Sequence, residues 1–371
     1  MRAAKRRVTD IATAAALGLA LAATGCTSLP EAAEYRASTA LLEPASGGPA
    51  GADGRARFRE VFCAVAAAQD RVPPDDPSCD RLLWRLADEP APALPFPAAP
   101  ALDPDLRVFV VGGAFSDCFG EASVAFGSAL SALRAAGHHA ISVPISSRSS
   151  AGLNADRIAD TLVAAELDTT DRVVLVGYSK GGVDILRFLA DFPSLASAVD
   201  AVVNVSCPVR GSRVADRGSW LYDTLLSGAF AARCDPGDGG VVDSLRTEVR
   251  QAWLAEHAVP SHVRFYTLSA FTTREHMARG LVSSWRALAA DGWRNDGQVT
   301  LEEGLLPGST LLGYANTDHW GLAIDIEDEL EFFAARPDDR AYPRRVLFEA
   351  ILRYVSDDLS AASLPVGSAA P

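Results

Sequence analysis

Between residues 105 and 360 two kinds of apolar pattern take turns along the chain. Short, nearly continuous runs rich in Val, Ile and Leu occupy Arg107–Val111, His139–Val143, Arg172–Val176, Val199–Val205, Val263–Leu268 and Thr310–Tyr314. Between them, apolar residues return every three or four positions over Glu121–Ala136, closed by Gly137, over Asn154–Glu166, with Asn154 placed to cap it, over Gly181–Ala190, stopped before Pro193, and over Arg340–Leu359. The first kind reads as strands and the second as helices. A strand with one wet face would alternate apolar and polar residues. These runs do not, so both faces of the sheet are expected to lie under helices. The fold class that follows is α/β, a mostly parallel sheet with helices on both faces. Residues 208–260 interrupt the alternation and read as a helical insertion, with a helix over Val241–His257.

The first 104 residues do not share this pattern. Phe58, Val61, Phe62 and Val65 fall at helical spacing within Arg55–Asp70, and Pro73, Pro74 and Pro77 end that helix. A short helix is expected at Arg81–Ala87, followed by a Pro-rich run from Glu89 to Pro97. Residues 55–104 are therefore expected to form a helical and Pro-rich extension, joined to the body at residue 105. Residues 26–54 are small, Ala/Gly/Pro-rich and poorly periodic, the composition of a flexible tether. Residues 361–371 read as a disordered tail.

The extreme N-terminus has another character. Arg2, Lys5, Arg6 and Arg7 precede an apolar run, Ile11–Ala23, that is too short to span a bilayer as a mature helix. Residues 1–25 are thus expected to be an export signal. The segment ends Ala23-Thr24-Gly25-Cys26, which resembles the lipobox of bacterial lipoproteins. The resemblance implies that Cys26 becomes the lipid-bearing first residue and that the protein is anchored in the cell envelope. Thr27 offers no inner-membrane retention signal of the Asp kind, so an outer-membrane, periplasm-facing site is expected.

Composition narrows the function classes. A chain of 371 residues that is 49% hydrophobic and 22% charged is neither wholly disordered nor a polytopic membrane protein. A formal charge of −13 argues against nucleic-acid binding, which needs a basic surface to displace counterions. The same acidity does not favour anionic lipid surfaces, so a lipid on Cys26 would have to supply any membrane attachment. Export also matters for the other cysteines, because the space outside the cytoplasm is oxidising. Cys63, Cys79, Cys118, Cys207 and Cys234 allow at most two bridges with one thiol left over. Cys63–Cys79, flanking the Pro-rich turn, is the expected pair, and Cys207–Cys234 is the second choice. No Cys-x-x-Cys or paired-His spacing suggests a metal site, and no cofactor is implied.

The residues that carry chemistry sit at the carboxyl ends of the expected strands. Arg172–Val176 runs into Gly177-Tyr178-Ser179-Lys180-Gly181-Gly182, a G-x-S-x-G pattern between a strand and a helix. A nucleophile on so tight a turn needs strained backbone angles, and neighbours without Cβ let strand and helix close up. A serine hydroxyl also needs a base, and the base a carboxylate to orient it. His319, in Asn316-Thr317-Asp318-His319-Trp320-Gly321 just after the last strand, is the expected base, with His276 its rival. Asp296, in the polar turn Asn295-Asp296-Gly297-Gln298-Val299, is the expected acid, while Asp318 is a candidate for steadying the loop. The oxyanion hole should combine the backbone N–H of Lys180 with one from the loop after the first strand, that of Ala114 or of Phe115. Lys180 is the lysine left once residues 1–25 are removed, and its ammonium either adds positive potential at this turn or pairs with a nearby acid.

Together these residues resemble the α/β-hydrolase superfamily over residues 105–360, with the chain order Ser179, Asp296, His319. Pro208-Val-Arg-Gly-Ser-Arg-Val-Ala-Asp216 and the Asn-Asp-Gly-x-Val around Asp296 are similar to segments of its bacterial lipase and esterase branch; Val209 replaces a His of the first. The resemblance implies a serine hydrolase of carboxylic esters, with a small-molecule or lipid ester as substrate. It also implies that residues 208–260 form a helical lid, with Trp220, Leu221, Leu225, Leu226 and Phe230 as its apolar stretch. The same triad would serve an acyltransferase, and the fold alone would serve a non-catalytic binding module anchored in the envelope.

Overall fold

The central Val-rich runs become strands because each can bury both faces and pair on both edges, while His139–Ser142 closes one edge of the sheet. The structure, a computed structural model, describes residues 35–44, 50–69, 79–91, 99–114, 116–118, 120–217, 235–325 and 342–363. Every described residue belongs to one compact unit. The strands are β1 (Ala52–Asp53), β2 (Leu106–Val111), β3 (His139–Ser142), β4 (Arg172–Tyr178), β5 (Val199–Val205), β6 (Arg264–Ala270) and β7 (Thr310–Ala315). These seven strands of the described residues are all parallel and form one sheet in the order β1-β7-β6-β5-β4-β2-β3.

Alternate residues of each strand face opposite layers. Val108, Val110, Val174 and Val176 pack on one side with Phe58, Phe62 and Phe348. Phe109, Val111, Val173 and Leu175 pack on the other with Ile158, Ile185 and Phe188. The first layer holds the helices α1 (Arg55–Ala68), α2 (Cys79–Leu82) and α3 (Gly127–Ala135) and the last helix of the chain. The second holds α4 (Ala151–Ala164), α5 (Lys180–Asp191) and the short α6 (Pro193–Ala196). Then come α7 (Arg213–Asp216), α8 (Val241–Leu245), α9 (Thr247–Glu256), α10 (Val282–Ala290) and the closing α11 (Arg344–Ser363).

The strand order positions the site. The chain passes from β2 to β3 on one side and returns across β2 to β4 on the other, after which each strand is added in the same direction. The loops after β2 and β4 therefore leave neighbouring strands in opposite directions and open a crevice at the carboxyl edge of the sheet.

Several expectations need correction. The N-terminal extension is part of the core: Phe58, Phe62 and Val65 are fully buried in the main layer, and α1 packs against α11. Buried Arg59 ties the extension together, with Nε 2.6 Å and Nη2 2.8 Å from the Glu89 carboxylate and Nη1 2.8 Å from the Leu83 carbonyl. The later part of the expected tether is docked as well. Leu42 is buried, Tyr35 Oη donates to Glu302 at 2.7 Å, and Ala52–Asp53 adds a strand beside β7 that so short and Ala/Gly-rich a stretch did not announce. The helix expected at Arg81–Ala87 stops at Leu82, because Leu83 pairs with Ala315 and Trp84 N–H donates to the Tyr314 carbonyl.

Elsewhere helices break or begin where a side chain has better use. The helix expected over Glu121–Ala136 is a 3-10 turn, Gly120–Ser123, followed by α3. At their junction Phe126 takes a left-handed φ of 56° and buries its ring 4.5 Å from that of Phe348. Asn154 does not cap α4; Ser150 does, accepting from Leu153 N–H. Asn154 lies one turn inside, buried, where its amide serves Ser146 and Asp184. The helix expected over Val241–His257 restarts at Thr247, whose N–H and hydroxyl donate to Asp216. The last helix runs over Arg344–Ser363, after Pro343, and so takes in the start of the expected tail.

Cys63 and Cys79 are joined, with Cα atoms 5.8 Å apart. Cys118 is also disulfide-bonded. Cys207 is free and buried, which removes the Cys207–Cys234 pairing. Residues 1–34, including Cys26, the apolar stretch Trp220–Phe230, Cys234 and residues 364–371 lie outside the described residues. The Cys63–Cys79 bridge closes a loop of 16 residues between α1 and α2. Replacing both cysteines by Ser is expected to lower unfolding stability by about 3 kcal/mol, read as a drop in the denaturant midpoint at unchanged slope.

Candidate active site

β4 ends at Tyr178 and α5 begins at Lys180, which leaves Ser179 as the whole turn. Its φ of 54° and ψ of −125° are strained for a residue with a side chain. The surroundings hold it there. Ser179 N–H donates to the Val205 carbonyl at 3.1 Å, and Gly181 lets α5 approach β2 so closely that a Cβ would lie 2.1 Å from the Val111 carbonyl oxygen. The turn raises a partly exposed hydroxyl above the sheet edge.

His319 follows β7 and arrives at this hydroxyl: its Nε2 is 2.9 Å from Ser179 Oγ. Its Nδ1 is 2.7 Å from Asp296 Oδ2. A carboxylate only accepts, so the Nδ1 proton lies toward Asp296 and Nε2 is left as the acceptor for the serine proton. Three residues distant in sequence thus form one relay. His319 is 4% exposed and Asp296 is fully buried, so the relay works away from bulk water while Ser179 stays reachable.

The loops that bring them together are locked at the backbone. His319 N–H donates to the Asp296 carbonyl at 2.8 Å, and Tyr178 Oη donates to the His319 carbonyl at 2.6 Å. Burial first, then the charges of Asp296 and Asp318, push the Tyr178 phenol well above its ordinary range, so it remains a donor. Asp318 braces the His319 loop, accepting from Gly321 N–H at 2.8 Å and Ala278 N–H at 2.6 Å. Asp296 sits in a turn between β6 and β7, where Gln298 and Val299 N–H donate to its Oδ1 at 2.9 and 2.8 Å. Ser206, one residue past β5, donates from Oγ to Asp296 Oδ2 at 2.5 Å.

Where the oxyanion hole was expected, Lys180 is the first residue of α5, so its N–H is one of those the helix leaves free, at the positive end of the helix dipole. Gly113, just after β2, lies against Ser179; a Cβ there would come 2.8 Å from Ser179 Cβ. Ala114 follows it into the crevice, whereas Phe115 lies outside the described residues. The Lys180 ammonium is turned away from solvent and pairs with Asp184 one turn along the helix, both side chains fully buried. Burial pushes the Asp184 carboxyl up, against the pull of Lys180 and a hydrogen bond from Asn154. Of the two uses foreseen for this ammonium, pairing is the one observed.

His276 is exposed on a short turn after β6, on a different loop from the residue that meets Ser179. Cys207, beside the nucleophile turn, is held as a neutral thiol by burial. Among the described residues no cluster of His, Cys, Asp or Glu could hold a metal ion. Two residues of the site escaped the reading of the sequence. Tyr178 occupies a free position of G-x-S-x-G, and Ser206 belongs to no motif. Their common signal is position, since each stands at the carboxyl end of a strand in the middle of the sheet.

The chain is similar to a metagenomic carboxyl esterase, MGS0156, with 35% identity over 86% of this chain and 98% of that one, and a TM-score of 0.71. It is also similar to the mature form of the Bacillus licheniformis lipase BlEst2, with 23% identity over 59% of this chain and 87% of that one, and a TM-score of 0.45. No protein-family model matches the chain. No curated protein matches it either.

Proposed function

The chain belongs to the α/β-hydrolase superfamily and is a carboxylic ester hydrolase, and from that premise we propose that it acts as a serine esterase or lipase through an acyl-enzyme on Ser179. The observation that carries this is the continuous relay from Ser179 Oγ to His319 Nε2 at 2.9 Å and from His319 Nδ1 to Asp296 Oδ2 at 2.7 Å. His319 takes the hydroxyl proton as Ser179 Oγ bonds to the ester carbonyl carbon. The carbonyl oxygen becomes an oxyanion, held by the N–H of Lys180 and by one from the loop after β2, that of Ala114 or of Phe115. Collapse breaks the bond to the alkoxy oxygen, which leaves as the alcohol with the proton from His319. A water then gives its proton to His319, attacks the acyl carbon and releases the acid, and the proton returns to Ser179.

The test is covalent. A fluorophosphonate probe should label the folded protein at one site, and peptide mapping should put the label on Ser179. Labelling at another residue, or none on protein that hydrolyses nitrophenyl esters, would overturn the assignment.

The reading extends to location. The basic start, the apolar run Ile11–Ala23 and the ending Ala-Thr-Gly-Cys26 support export followed by lipid attachment at Cys26. In a bacterial host, metabolic labelling with a tagged fatty acid should mark the wild type and be lost in Cys26→Ser. Equal labelling of both would reject the anchor.

A further inference from the structure

We propose that Ser206 is a positioning residue of the catalytic relay: its hydroxyl fixes Asp296 and moderates the basicity of the oxygen that faces His319. The proposal rests on the Ser179–His319–Asp296 reading and adds a fourth side chain to it.

The hydroxyl meets the carboxylate at the atom that matters. Ser206 Oγ donates to Asp296 Oδ2 at 2.5 Å, and the same oxygen receives the Nδ1 proton of His319 at 2.7 Å. The other oxygen is occupied by Gln298 and Val299 N–H. Each oxygen therefore has two donors, and a carboxylate oxygen has room for about two. Without Ser206 the set is incomplete on the side that orients the base. All of this is buried, with Ser206 1% and Asp296 0% exposed, so no bulk water takes the place of a missing donor.

The backbone at Ser206 gives a second, independent indication. β5 ends at Val205, and the next residue turns to a φ of 48°, in the left-handed region that residues with side chains avoid. Its N–H is pinned to the Leu268 carbonyl at 2.8 Å. An extended residue here would continue the strand. The turned one delivers a side chain to the acid loop, the kind of local strain that accumulates around functional groups.

Other charged and titratable groups surround the relay without taking this role. Tyr178 of β4 holds its ring 5.1 Å from that of His319, tilted by 30°, and spends its hydroxyl on a carbonyl. Cys207 is a buried thiol directed to the Gly177 and Val205 carbonyls. Asp318 accepts from Ala278 and Gly321, and Arg344 of α11 reaches Asp325. The side chains bonded to Asp296 Oδ2 are those of Ser206 and His319.

A donor on Oδ2 draws charge from the carboxylate and so weakens its hold on a protonated imidazole. Removing it has two consequences. The acid limb of kcat/KM moves to higher pH, by about half a unit. The plateau kcat falls by roughly tenfold, because Asp296 is less well fixed, while KM stays near wild type, since the hydroxyl is buried and bonded to Asp296.

The experiment is a pH profile of hydrolysis of a short-chain nitrophenyl ester by wild type, Ser206→Ala and Ser206→Gly. Gly removes the hydroxyl and also relieves the left-handed strain, so it is the variant to read if Ala folds poorly. The Ala and Gly profiles should shift together, because both lack the hydroxyl while only Gly relieves the left-handed strain. Folded Ala and Gly variants whose acid limbs superimpose on wild type would overturn the proposal. So would a need for the hydroxyl merely to fold. An inactive wild type that no fluorophosphonate labels would instead sink the triad reading, so the two failures are told apart.

Discussion

Ser179→Ala is expected to lower kcat for ester hydrolysis by on the order of 10⁵-fold or more, with the fold intact. The loss follows from the place of Oγ in the relay, where it is the atom 2.9 Å from His319 Nε2 and the one proposed to bond to the acyl carbon. Ala keeps the Cβ that Gly113 packs against and leaves the strained turn unchanged, so thermal unfolding should move little. The oxyanion donors belong to the backbone and survive the substitution, which leaves a small rate above that of water. Fluorophosphonate labelling should disappear with the activity. A folded Ser179→Ala protein that still turns over esters at more than a hundredth of the wild-type rate would mean that the nucleophile lies elsewhere. The non-catalytic alternative makes a different forecast, namely wild type and variant equally inert.

The sheet and the relay were legible in the sequence for the same reason: both are set by local constraints with little freedom. Strands buried on both faces must be apolar throughout, so Arg172–Val176 and Val199–Val205 stood out without any partner in view. A nucleophile turn needs small neighbours at fixed offsets, so Gly177 and Gly181 marked Ser179. What escaped was decided by tertiary contact. Ala52–Asp53 is a strand because the β7 edge lies beside it, not because of its own composition. The extension was set apart from the body because it lacks the alternating pattern of residues 105–360, whereas Phe58, Phe62 and the buried Arg59–Glu89 pair bind it into the core. Asn154 and Ser150 are equally good caps on paper. The choice fell to Ser150 once Asp184 and the Ser146 backbone claimed the Asn154 amide. Ser206 belongs to no motif, and only its place at the end of β5 marked it, since its partner lies on a loop 90 residues further on.

Asp296→Asn is expected to cost about 10⁴-fold in kcat, although the side chains are almost the same shape. The argument turns on which way the new amide faces. Oδ1 of Asp296 accepts two backbone N–H groups, from Gln298 and Val299. An Asn carbonyl must take that place, because an NH₂ there would meet two donors in a buried turn. The NH₂ is then forced into the position of Oδ2, facing His319 Nδ1, while the Ser206 hydroxyl can rotate to accept from it. Facing a donor, Nδ1 must give up its proton and act as acceptor. The imidazole proton moves to Nε2, which points at Ser179 Oγ and can no longer take a proton from it. The variant should therefore fold, keep KM close to wild type and lose turnover, with fluorophosphonate labelling slowed in proportion. Turnover within tenfold of wild type would show that His319 keeps its working tautomer without the carboxylate, and the role given to Asp296 would have to be withdrawn.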